Sequence, residues 1–148
     1  MASYEETIVS ISLDADSSLA VDTSPPYVGN TPPVGGSAAA GFQYRFVAVT
    51  GDSQCGLFDG TSAGDVPVGV LQNKPQIEGM AATVAIAGVS IVEVGVDTVE
   101  AGDGVEVDDT GRVVSDDGGV IVGVALEGGE EGELIPVLLR LTGIAIPA

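Results

Sequence analysis

The sequence predicts an all-β fold, a small barrel or sandwich of short strands with an extended strand and arm at its N-terminus. Three observations carry this. The 148 residues include 23 Val and 9 Ile, side chains that are stiff at χ1 and favour strands. The apolar runs are short and are separated, every 8–12 residues or so, by Gly- and Asp-rich turns, the spacing of sandwiches and small barrels. No long apolar pattern at i, i+3, i+4, i+7 is present, and Gly interrupts most windows of a dozen residues.

The elements follow in order. Residues 5–13 read as one strand, with Thr7, Val9, Ile11 and Leu13 alternating with Ile8, Ser10 and Ser12. Residues 14–41 then lose periodicity. They contain Pro25-Pro26, Pro32-Pro33, Gly35-Gly36 and a small run from Ser37 to Ala40. Proline pairs favour polyproline II and remove backbone donors, so this stretch is either a linker or an arm lying on a partner. Tyr27 is its one large side chain.

From Gly41 the punctuation becomes regular. Strands are expected near 42–49, 66–72, 81–87, 89–94, 104–107, 111–115, 119–126 and 133–141. Asp109-Thr110-Gly111 forms a tight hairpin turn between Val105-Glu106-Val107 and Arg112-Val113-Val114. The chain thus divides into an N-terminal strand and arm (1–41) and a β-rich domain (42–148). Within that domain an internal two-fold repeat is expected. Val66-Pro67-Val68-Gly69-Val70-Leu71 resembles Val120-Ile121-Val122-Gly123-Val124-Ala125, 54 residues later. A Gly inside a strand marks a bulge or a close backbone approach, so Gly69 and Gly123 read as matching positions.

Charge narrows the function. Arg45, Lys74, Arg112 and Arg140 face 22 acids, giving a net charge of −18 and a pI near 4.1. A mean hydropathy of +0.40 separates this chain from acidic disordered ones. Four scattered cations make no basic patch, so neither nucleic acid nor an anionic membrane is an expected partner. No apolar run reaches the roughly 18 residues of a membrane-spanning helix. The N-terminus carries no basic n-region and no signal-type apolar stretch, which predicts a soluble protein made in the cytoplasm.

Catalytic readings fare poorly. There is no His, the commonest general base and metal ligand. Gly51-Asp52-Ser53 resembles the start of a serine-hydrolase signature, but nothing nearby would deprotonate Ser53, and a turn is the better reading. Asp108/Asp109, Asp116/Asp117 and Glu130/Glu131 are paired carboxylates of the kind glycosidases use. They sit in Gly-rich turns, with few aromatics to stack a sugar. Asp103 to Asp109 with Asp116-Asp117 supplies oxygen ligands for Ca²⁺, without the 12-residue loop pattern. Cys55 is a lone thiol, unable to form an internal disulfide and with no neighbouring cation to activate it. Phosphate-cradling motifs are absent. No enzyme activity and no cofactor are expected, which favours a structural or binding role.

The order of blocks points further. Phe46-Val47-Ala48-Val49-Thr50-Gly51 is followed by Pro67-Val68-Gly69-Val70 and then by Ala81 to Val89. Val99 to Val107, Asp109 to Val114, Val120 to Leu126 and Glu133 to Leu139 complete it. This order, over about 42–141, resembles the capsid decoration, or cement, proteins of tailed viruses. The resemblance implies a small β-rich virion protein on the outer surface of the capsid, often a homotrimer, whose partner is the major capsid protein and whose action is to bridge neighbouring capsid subunits. Residues 1–41 have no counterpart in that pattern. Tyr4, Val9, Ile11, Pro25, Pro26 and Tyr27 are the expected contacts to capsid or neighbour. Rival readings are a virion fibre or spike base and a small β-barrel ligand-binding module. The acidity suits either a salt-loving host or an ordinary acidic virion surface.

Overall fold

A computed structural model describes residues 8–20, 41–60 and 65–141. Ten strands make up its regular structure, and among the described residues there is no helix. They are β1 (Val9–Ala15), β2 (Phe46–Gly51), β3 (Gln54–Leu57), β4 (Pro67–Leu71), β5 (Ala81–Ala87), β6 (Val89–Glu93), β7 (Gly104–Val107), β8 (Val113–Ser115), β9 (Gly123–Ala125) and β10 (Leu134–Leu139). The all-β expectation is met.

The strands expected at 81–87 and 104–107 have the observed bounds, and most others differ by a few residues. Two differences have a physical cause. β3 is not among the expected strands, because Gln54-Cys55-Gly56-Leu57 offers only Cys55 and Leu57 as an alternating pair, too short to establish a period; its place is set by pairing across the Gly51–Gln54 turn with β2. β1 runs on to Ala15 because the Asp14 N–H donates to Ser53 O at 2.8 Å and the Asp16 N–H to Cys55 O at 2.8 Å.

The first five strands close into a barrel in the order β1-β3-β2-β4-β5. β1 is antiparallel to β5 over Val9 to Asp14 and seals the barrel through a short parallel pairing to β3, Asp14↔Gln54 and Ala15↔Cys55. The last five form a sheet in the order β6-β10-β9-β7-β8.

These two orders are the same arrangement. In the barrel, Val70↔Ala85 and Leu71↔Val84 join β4 to β5. Val124↔Leu138 and Ala125↔Val137 join β9 to β10 in matching register. The β2–β3 pairs Val47↔Leu57 and Val49↔Cys55 correspond to the β7–β8 pairs Val105↔Ser115 and Val107↔Val113. The parallel seam Ala15↔Cys55 corresponds to a single parallel bridge, Val94↔Val113, beyond the end of β6. The stretches 66–71 and 120–125, alike in sequence, thus occupy equivalent places.

Turn chemistry repeats as well. The Gly79 N–H donates to Ala15 O at 2.8 Å, and the Gly132 N–H to Val94 O at 2.9 Å; both glycines have φ near +85° (87° and 84°). Tyr44 (φ 70°) and Ser53 (φ 57°), both left-handed, occupy the positions of Gly102 (94°) and Gly111 (77°) in the second unit. A side chain at such φ is costly, and the second unit avoids that cost with glycine.

Gly69 and Gly123 explain the strongest part of the likeness. A Cβ on Gly69 would run into the Ala85 carbonyl oxygen and lie 2.8 Å from Val84 Cγ1. On Gly123 it would lie 2.6 Å from both Leu138 O and Val137 Cγ1. Each glycine lets its strand press against the next one.

One apolar cluster joins the units: Phe46, Val70 and Ala85 of the barrel pack with Val92, Val94, Val105, Val113, Ile135 and Val137 of the second sheet. A smaller cluster of Ala15, Leu19, Val47, Cys55, Leu71, Ala82 and Val84 fills the barrel. Arg45 bolts the junction. Its Nε and Nη2 reach Glu93 Oε2 and Oε1 at 2.9 and 3.2 Å, its Nη1 donates to Thr110 O at 3.3 Å, and its guanidinium lies 5.2 Å from the Phe42 ring centre.

Candidate functional site

Of the carboxylate pairs that invited a catalytic reading, Asp108 and Asp116 bond the groups of their own turns, and Glu131 faces Arg112 at 3.6 Å. Asp108 Oδ1 accepts from the Thr110 N–H, the Thr110 hydroxyl and the Arg112 N–H. Asp116 Oδ1 accepts from the Gly118 N–H at 2.9 Å. Asp103 Oδ2 takes the Glu100 N–H at 2.9 Å and the Ser115 hydroxyl at 2.7 Å, and these hydrogen bonds hold its carboxyl below the usual carboxylate range. No group of three or more metal-ligating side chains converges among the described residues. Ser53 sits in the β2–β3 turn with its carbonyl taken by Asp14. Cys55 is buried under the barrel seam; burial, with the charges of Asp16 and Asp14, pushes its thiol up to about 11.

Exposed apolar side chains mark a different place. Registers Val9↔Ala87, Val70↔Ala85 and Ala48↔Pro67 bring the start of β1, the start of β4 and the end of β2 to one end of the barrel. That end carries Ile8, Val9, Ile11, Val49 and Val66, all exposed, the last two at 56% and 55%. A cleft of about 450 Å³ opens there, lined by Val49, Asp65, Val66, Pro67, Val68 and Leu141. Such a surface, on a chain this charged, marks an interaction site.

β1 adds backbone to this surface. It pairs with β3 only at Asp14 and Ala15, so Val9 to Leu13 have β5 on one side and no strand on the other among the described residues. A strand edge of this kind accepts a further extended segment.

Of the six expected contact residues, Val9 and Ile11 lie on this end, both exposed. Tyr4, Pro25, Pro26 and Tyr27 fall outside the described residues. Val49, Val66 and Leu141 are not among the contacts expected from sequence; in a Val-rich chain an exposed Val carries no distinguishing signal.

The fold defines a class, a tandem of two equivalent five-stranded β units sharing one core. No family model matches the chain, and no curated protein does. Among solved structures it is similar to the crystal structure of the N base of the head fibre protein gp8.5 of bacteriophage phi29. The two are 17% identical, the match covers 90% of this chain and 95% of that one, and the TM-score is 0.58. The likeness establishes a shared fold.

Proposed function

We propose that the protein is a structural component of a phage virion, carried on the outer surface of the head as the base of a fibre or projection. The observation that supports this most is the match of fold over nearly the whole of both chains to a head-fibre base. The sequence resemblance to decoration proteins over about 42–141 points independently to the same surface. The apolar end of the barrel supplies an attachment surface that such a role needs and that a free-standing acidic domain does not.

The role is non-enzymatic and needs no cofactor. Its physical basis is mass action. A protein that binds only the assembled shell stabilises it by RT ln(1 + [L]/Kd), about 2.7 kcal/mol per site at a hundredfold excess over Kd. A second form of the role, bridging major capsid subunits across the lattice as a homotrimer, rests on the resemblance of block order.

Copy number per virion separates the two forms. Quantitative mass spectrometry of purified virions, normalised to the major capsid protein, is the test. A small number of copies supports the fibre base, and a number close to that of the capsid subunits supports bridging. Absence of the protein from virions overturns the proposal.

A further inference from the structure

Resting on that reading, we infer that the apolar end of the first barrel is the face that docks to the head, and that its partner there is an apolar segment flanked by Lys or Arg. Three observations converge. The cleft of about 450 Å³ has Val49 and Val66 standing exposed at its walls. The start of β1, with Ile8, Val9 and Ile11 exposed, brings a strand edge to the same end. Asp65 lines the cleft, and Asp52 is exposed in the neighbouring β2–β3 turn, beside Asp14.

Charge selects the occupant. Arg45 and Arg112 are engaged with Glu93, Asp108 and Glu131 at the junction of the units. Lys74 lies between β4 and β5, at the opposite end of the barrel. Arg140, next to Leu141, is the cation closest in sequence to a cleft residue. A second copy of this chain brings another −18 to the contact, whereas a basic-flanked segment meets the aspartates and buries the valines. The two occupants respond to salt in opposite directions: screening weakens a contact between opposite charges and strengthens one between like charges.

The test uses heads purified from a phage deleted for this gene and the full-length protein, with occupancy read by co-sedimentation from 0.05 to 0.5 M KCl. Val49→Lys and Val66→Lys are each expected to lower apparent affinity at least tenfold. Ile77→Lys and Val96→Lys, exposed elsewhere, are expected to change it less than twofold. Val49→Thr and Val66→Thr keep β-branching; with melting temperatures unchanged, they should still weaken binding. Added salt should weaken wild-type binding.

Retention of binding by both Lys variants overturns the surface. Binding that strengthens with salt, or a wild type that dimerises through Val66, overturns the basic partner. A wild type that occupies no heads at any salt instead overturns the proposed function itself, so the two failures are distinguishable.

Discussion

Replacing Arg45 by Met should destabilise the protein by about 3 kcal/mol. Arg45 is 6% exposed, and its partner Glu93 has a side chain only 21% exposed. Removing one member of a buried ion pair typically costs about 3–5 kcal/mol, because the other charge is left unpaired in a poorly solvated place. Here the cost falls at the lower end, since Arg112 Nη1 remains 3.9 Å from Glu93 Oε1. Met keeps the apolar stem, so the loss reports the guanidinium with its Thr110 and Phe42 contacts. Chemical unfolding followed by far-ultraviolet circular dichroism measures it. Arg45→Met combined with Glu93→Leu should recover most of the loss, because an apolar pair at such a site is often as stable as the ion pair. A loss below about 1 kcal/mol for Arg45→Met, or a double variant no better than the single one, would refute the idea that this pair holds the units together.

Other outcomes follow from the same geometry. Gly69→Ala and Gly123→Ala should each cost at least the roughly 1–3 kcal/mol of an overpacked core, since the new methyl meets a backbone carbonyl; thermal melts decide it. Ser53→Gly should leave stability unchanged or raise it by up to about 1 kcal/mol, because relief of left-handed strain outweighs the added chain entropy. Gly111→Ser, at the equivalent position, should lower it, since a Cβ there lies 2.9 Å from Phe46 O. Cys55 should resist thiol reagents at pH 8 and react only when the barrel opens. Its pKa is raised to about 11 on folding, so the folded state keeps a proton that the unfolded chain loses near pH 8.5; stability should fall as pH rises between about 9 and 11. Asp103 has the opposite sign: its carboxyl is depressed on folding, so its contribution is present above about pH 4, the unfolded value, and fades as pH drops further. Asp103→Asn should flatten that acid limb.

How much of this was legible in the sequence depends on the range of the interaction. β5 and β7 have the expected bounds, because local alternation and flanking glycines set them. β3 was invisible, since its residues owe their strand to β2 and β1 rather than to their own pattern. The parallel seam of β1 with β3 joins segments about 40 residues apart, which no local period encodes. The repeat showed at 66–71 and 120–125 because Gly69 and Gly123 are both constrained by a carbonyl at close approach. Elsewhere equivalent positions hold Tyr44 and Gly102, or Cys55 and Val113, which share a backbone role and no side-chain likeness. The exposed apolar end of the barrel was half-legible. Val9 and Ile11 stood out in an alternating strand, whereas Val49 and Val66 come to the same end of the barrel only through its strand registers.

The proposed virion role is tested most directly by cryo-electron microscopy of virions from the infection in which this protein is made. Density for the two joined β units is expected on the outer face of the head, with the barrel end bearing Val49 and Val66 against the shell. Density for the fold elsewhere, or a head that is complete without it, would contradict that role.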